Sequence, residues 1–104
     1  MNQNPTSGYT LYILNCSDDM YYTGICTNLE RRVTEHNHDD QKGARYTKPR
    51  RPVEVVFSVS DIVNRSLASK GERFMKKLPR AKKQLLIKGD EVTMEALLKV
   101  VNRT

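Results

Sequence analysis

The chain lacks any apolar run long enough to cross a bilayer, which excludes a helical membrane anchor. It also lacks the basic start and apolar centre of a secretory signal: MNQNPTSG is polar throughout and reads as a loose tail over residues 1–8. Both absences place the protein in the cytoplasm. Cysteine is scarce. Cys16 and Cys26 are the only two, too few for a disulfide scaffold and better read as reduced and packed. Together with His36 and His38 they make four potential zinc ligands, but no C-x-x-C or H-x-x-x-H spacing pairs them, which argues against a zinc staple. Internal repeats and low-complexity tracts are missing as well. The remaining residues, 9–104, are expected to form one domain with a single modest core.

Positive charge is plentiful. Lys and Arg number 18 against 12 Asp and Glu, giving a net charge of +6. The balance favours a polyanionic partner. The distribution is more informative than the sum. KGARYTKPRR carries Lys42, Arg45, Lys48, Arg50 and Arg51 without an acid, and KGERFMKKLPRAKK carries Lys70, Arg73, Lys76, Lys77, Arg80, Lys82 and Lys83 around Glu72 alone. Both segments are candidate nucleic-acid contacts whose affinity would fall steeply with salt. A solvated helix face is the plainer alternative for the second.

The pattern of residues predicts a small α/β fold. YTLYIL and YYTGI are β-formers separated by NCSDDM, so a hairpin is expected with its turn near residues 17–19. Thr27 or Asn28 caps the next element, and Leu29, Val33 and His36 recur at helical spacing, giving a helix over about residues 28–37. HDDQKGARYTKPRRP has no periodicity and reads as a mobile basic loop. VEVVFSVS supplies a third strand. Helices follow in IVNRSLASKGERFMKKL, in RAKKQLLIKG between Pro79 and Gly89, and in TMEALLKVV with Thr93 as its cap. Gly71 weakens the first of these, since glycine costs about 1 kcal/mol against alanine inside a helix. The expected architecture is a three-stranded antiparallel sheet flanked by helices.

Tyr12 and Tyr22 stand ten positions apart on facing arms of the hairpin, and Arg32 stands ten further on. His36 lies one helical turn beyond Arg32. Two phenols, a guanidinium and an imidazole thus meet at one corner. Taken singly each has an ordinary structural role: tyrosines in strands pack with a wet hydroxyl, and arginines on helices are solvated. Tyr21 should point to the opposite face from Tyr22. Tyr46, set among cations, either stacks on a nucleic-acid base or anchors its loop to the sheet.

These residues resemble the GIY-YIG nucleases, and the small single-domain bacterial members above all. The resemblance runs from about Tyr9 to Lys83. The first motif stands here as Thr10-Leu11-Tyr12 and the second as Tyr22-Thr23-Gly24; NLERRVTEH carries the family's arginine onto Arg32 and a second polar ring onto His36. The family's metal-binding glutamate falls on Glu72. The resemblance implies a divalent-metal-dependent endonuclease acting on DNA, with Tyr12, Tyr22, Arg32, His36 and Glu72 catalytic, Glu72 holding Mg²⁺ or Mn²⁺, and repair or recombination as the setting.

The residue types suit that chemistry. Phosphodiester hydrolysis needs an activated water, positive charge on the phosphoryl oxygens and help for the leaving oxygen. A lone carboxylate among cations is a hard ligand of the kind Mg²⁺ takes with waters and phosphate, although Glu72 also stands where it can pair with Lys76. A phenol titrates near 10 and must be poised by neighbours, for which Arg32 and a protonated or hydrogen-bonded His36 are candidates. Tyr12 and Tyr22 both remain open as the group acting on water. Two further readings remain: a nucleic-acid-binding module without catalysis, and an interaction scaffold using Met94, Leu97, Leu98 and Val101 of the last helix.

Overall fold

A computed structural model describes residues 8–102, so residues 1–7 of the expected tail lie outside the described part. Three strands, β1 (Tyr9–Asn15), β2 (Tyr21–Cys26) and β3 (Glu54–Ile62), form one antiparallel sheet in the order β2-β1-β3. The central position of β1 follows from its composition. Leu11, Tyr12, Ile13 and Leu14 are all at most 1% exposed, so consecutive residues bury opposite faces of the same strand. Between β1 and β2 the chain reverses at Cys16–Met20, with Asp19 in the left-handed region at φ 64°, a conformation aspartate tolerates better than most residues.

Helix α1 (Leu29–His38) covers one face of the sheet, and α2 (Arg65–Lys76), α3 (Arg80–Lys88) and α4 (Glu91–Val101) gather on the other. The caps explain the boundaries. Asn28 accepts the Arg31 amide at 3.0 Å and Asn64 the Leu67 amide at 2.9 Å, while Gly89 ends α3 at φ 91°. Two expected boundaries are corrected. The third strand runs on to Ile62, whose side chain enters the core, so α2 begins at Arg65 rather than at Ile62. The last helix is capped by Asp90, not Thr93: the Asp90 carboxylate accepts both the amide and the hydroxyl of Thr93, at 2.9 and 2.7 Å. No helix among the described residues is long and apolar enough to cross a membrane.

The sheet separates two apolar clusters. Leu11, Ile13, Phe57 and Ile62 meet Leu67, Ala68, Met75, Leu86, Leu97 and Val101 beneath α2, α3 and α4. Gly71 belongs to this packing. A Cβ there would lie 2.5 Å from Val101 Cγ1 and 3.0 Å from Leu11 Cδ2, so the glycine that weakens the helix lets α2 wedge between β1 and α4. On the opposite face Tyr12, Leu14, Cys16 and Val53 pack with Tyr22, Leu29, Val33 and Tyr46. This second, smaller cluster holds the polar residues of interest.

Candidate active site

The hairpin register sets the two tyrosines. Tyr12 pairs with Gly24 and Leu14 with Tyr22, so Tyr12 and Tyr22 are diagonal neighbours on one face rather than directly opposed. Their ring centroids lie 6.5 Å apart. Gly24 makes room for the inner ring: a Cβ at that position would stand 2.5 Å from Tyr12 Oη and 2.7 Å from its Cζ. Tyr21, as expected from strand alternation, turns to the other face, where it packs beside the larger cluster with Arg80 stacked 4.3 Å over its ring.

Helix α1 delivers the next two groups. His36 is fully buried, and its Nε2 lies 2.9 Å from Tyr12 Oη. The edge of its ring also meets Tyr22, centroid to centroid at 5.2 Å. Arg32, one turn earlier, brings its positive charge near the Tyr12 hydroxyl and donates through Nη1 to Glu35 Oε1 at 2.9 Å and to the Lys42 carbonyl at 2.6 Å. It is a fixed charge rather than a free one. Burial pushes the Tyr12 phenol above its ordinary range, as does a charged Tyr22, and Arg32 only partly offsets them. Burial and the charge of Arg32 push His36 down to about 4, so the ring is neutral. Of the two states expected for His36, the hydrogen-bonded one is present, and burial disfavours the charged ring.

The basic loop is tied down by internal hydrogen bonds. Arg51 directs three guanidinium nitrogens inward: Nε to the His36 carbonyl at 2.6 Å, Nη1 to Asp40 Oδ1 at 2.9 Å and Nη2 to the Asp39 carbonyl at 3.2 Å. The carboxamide of Asn37 exchanges two hydrogen bonds with the backbone of Val53, at 2.7 and 3.0 Å. A 3₁₀ turn at Lys48–Arg50 follows Thr47, which is buried against His36. Tyr46 stacks on Tyr22 with centroids 5.9 Å apart and carries the Arg50 guanidinium 4.0 Å over its ring. Anchoring of the loop, one of the two roles open for Tyr46, is therefore its observed packing. Arg50 also approaches Asp18 at 3.0 Å. Arg50 and Arg51, expected on a nucleic-acid surface, are thus held by contacts within the protein, whereas Lys42, Arg45 and Lys48 are exposed.

Glu72 arrives from α2, a helix on the other side of the sheet. Its carboxylate pairs with Lys76 at 3.3 Å, so the plain i,i+4 pairing is realised. Lys76 in turn lines a cavity of about 270 Å³ together with Tyr21, Tyr22, Thr23, Tyr46 and Lys83. Tyr12, Tyr22 and His36 therefore form one contact network with Arg32 beside it, and Glu72 reaches its rim through Lys76. Lys70, Arg73, Lys77 and Arg80 are exposed along α2 and the start of α3, and Arg80 also donates to the Asp19 carbonyl at 2.8 Å. No cluster of three or more His, Cys, Asp or Glu exists among the described residues. The donor set fits a divalent ion only in the sparse manner of Mg²⁺: one partly exposed carboxylate, with water and phosphate completing the shell.

Sequence reasoning missed Thr47, Asn37 and the Ala44 amide. Their signal was faint, since YTK and EHNH were read for charge and helical spacing while these groups act through hydrogen bonds to distant backbone and ring atoms. In the sequence Lys83 is one cation of a basic run; its position on the cavity depends on how α3 packs.

The three-stranded sheet with Tyr12, Tyr22, Arg32 and His36 gathered on one face is part of a catalytic-domain fold. Residues 8–84 match the GIY-YIG catalytic domain, and the chain belongs to the GIY-YIG nuclease family. Among its relatives, the UPF0213 protein YazA of Bacillus subtilis is 41% identical over 92 residues, covering 88% of this chain and 90% of that one. A UPF0213 protein of Desulfotalea psychrophila is 46% identical over 87 residues, 84% of this chain and 77% of the other. The solution NMR structure of a UPF0213 protein from Bacillus halodurans shares the fold with a TM-score of 0.50 at 32% identity, covering 84% of this chain and 93% of that chain.

Proposed function

We propose that this protein is a divalent-metal-dependent endonuclease that hydrolyses phosphodiester bonds in DNA, with Tyr12, Tyr22, Arg32, His36 and Glu72 as its reactive set and repair or recombination as its setting. The observation that carries the reading is the 2.9 Å contact of Tyr12 with a buried neutral His36, next to a fixed Arg32 and a second tyrosine on the rim of a lysine-lined cavity. A buried polar network of this kind has no packing advantage over apolar side chains. Tyr22 carries the network to a cavity lined by Lys76 and Lys83, which suits a phosphoryl group.

The two tyrosines divide the work. Tyr12 is 1% exposed, and Tyr22 is half-buried and lines the cavity, so Tyr22 is the phenol that meets the attacking water. Arg32, pinned by Glu35 and the Lys42 carbonyl, supplies positive charge that needs no reorganisation when the phosphate arrives. Lys76 and Lys83 bring further positive charge to the cavity. Glu72 would hold Mg²⁺ or Mn²⁺, which when bound neutralises charge on the phosphate and eases departure of the 3′ oxygen. Exposed Lys42, Arg45, Lys48, Lys70, Arg73 and Lys77 hold the flanking backbone of the DNA.

The test is cleavage of labelled single-stranded, duplex and branched DNA with Mg²⁺, Mn²⁺ or EDTA, comparing the natural protein with Glu72→Ala and Tyr22→Phe. Metal-dependent cutting that disappears in both variants supports the reading. Equal traces of cutting in all three proteins refute it and leave a binding module.

A further inference from the structure

The hydrogen bonds around His36 decide which of its nitrogens carries the proton, and with it the direction of the bond to Tyr12. Three groups surround the ring. Nε2 faces Tyr12 Oη at 2.9 Å, while Nδ1 faces the Ala44 amide at 3.3 Å and Thr47 Oγ1 at 3.2 Å. A backbone N–H can only donate and cannot rotate away, so Nδ1 must present a lone pair to Ala44. The hydroxyl of Thr47 is the one adjustable partner. It stands 3.0 Å from the Ala44 carbonyl and is able to donate there instead, which would leave its oxygen to accept a proton from Nδ1. That carbonyl already accepts two amides, from Thr47 and Lys48, each at 3.2 Å. It does not need the hydroxyl proton. The opposite arrangement would set the Ala44 N–H against a second N–H, at the price of a desolvated donor left without an acceptor.

Resting on the reading of Tyr12 as part of the reactive set, we propose that the Ala44 amide and the Thr47 hydroxyl lock His36 with its proton on Nε2. His36 is then the donor to Tyr12 and cannot take its proton, so Tyr12 does not act as a base. The Arg32 guanidinium nearby, already donating to Glu35 and the Lys42 carbonyl, offers Tyr12 no acceptor either. With the imidazole N–H directed at its oxygen and no acceptor beside it among the described residues, the phenol has its own proton uncommitted within the network. Thr47, 0% exposed and touching no substrate, is a positioning residue acting through His36.

The test is a long-range proton–nitrogen NMR correlation of the imidazole rings in the full-length labelled protein at neutral pH, where the exposed His38 serves as an internal reference for a ring that averages its tautomers. A bare Nδ1 and a protonated Nε2 on His36 are expected. A proton on Nδ1, or averaging like that of His38, overturns the proposal. Thr47→Val should give a mixture of tautomers and lower kcat about fivefold with KM unchanged, the factor matching one lost hydrogen bond. Thr47→Ser should restore both. A Thr47→Val protein with the natural ring signature and kcat removes Thr47 from the device. The ring signature needs no catalysis, so absence of cleavage by the natural protein would sink the nuclease reading while the spectrum still decides this one.

Discussion

Acidification should destabilise this protein, in the range just below neutral, chiefly through one side chain. His36 is fully buried and pushed down from 6.5 to about 4, chiefly by burial and then by Arg32, with Arg51 acting in the same direction and Glu35 against it. In the unfolded chain the same imidazole takes a proton near its ordinary value. The unfolded state therefore binds more protons between those two values, so the contribution is complete above 6.5, is lost as pH falls through the window, and levels off below the folded value. Going from about pH 7.5 to about pH 4.5 removes on the order of 2.5 kcal/mol. For a domain of this size that is a fall in Tm of about 10–20 °C. The assay is thermal or urea unfolding across the range, with His36→Gln as the comparison, because glutamine can still donate toward Tyr12 yet does not titrate. Asp39 is held below the usual carboxylate range by the Lys42 and Gln41 amides, and Asp90 by the Thr93 hydroxyl and amide. Their contributions persist above the ordinary carboxylate value, are lost at lower pH, and are common to both proteins. Equal acid sensitivity in the natural protein and His36→Gln would refute the argument.

Two glycines provide predictions whose sign matters. Gly24→Ala places a methyl 2.5 Å from Tyr12 Oη, whose ring is anchored by His36 and has no room to yield. A loss of about 1–3 kcal/mol is expected in urea unfolding, with loss of cleavage; an unchanged midpoint would show that the hairpin opens freely. Gly71→Ala should gain about 1 kcal/mol if helix propensity ruled, but the contact with Val101 Cγ1 predicts a loss of about 1–3 kcal/mol instead. Urea midpoints separate the two, and stabilisation would overturn the close packing of α2 on α4.

Much of the fold was legible because local signals agreed with one another. The hairpin, the Asn28 cap and the Gly89 stop are each short-range devices, and each is found where the residues placed it. The meeting of Tyr12, Tyr22, Arg32 and His36 was legible from spacing because β2 leads directly into α1. What stayed hidden depends on distant partners. The register that sets Tyr12 opposite Gly24 is fixed by the length of the turn, and the rigidity of the loop arises from Asn37 and Arg51 binding backbone groups across it. Charge on Arg50 and Arg51 was visible, but its commitment to Tyr46, Asp18 and the end of α1 was not. For Glu72 the sequence showed a partner, Lys76; the cavity that Lys76 lines depends on the packing of α2 and α3 beside β2.

The paired hydrogen bonds between Asn37 and Val53 give the loop from α1 to β3 a closed base, much as a clasp closes a bracelet. Inside that clasp Ala44 and Thr47 face the imidazole, while Lys42, Arg45 and Lys48 face solvent. Inward and outward positions alternate along the same few residues. Mutation at the outer ones can exchange charge and shape without moving the ring beneath. The segment thus separates the charge offered to a partner from the network that holds the ring, and a lineage can retune the first while the second stays in place.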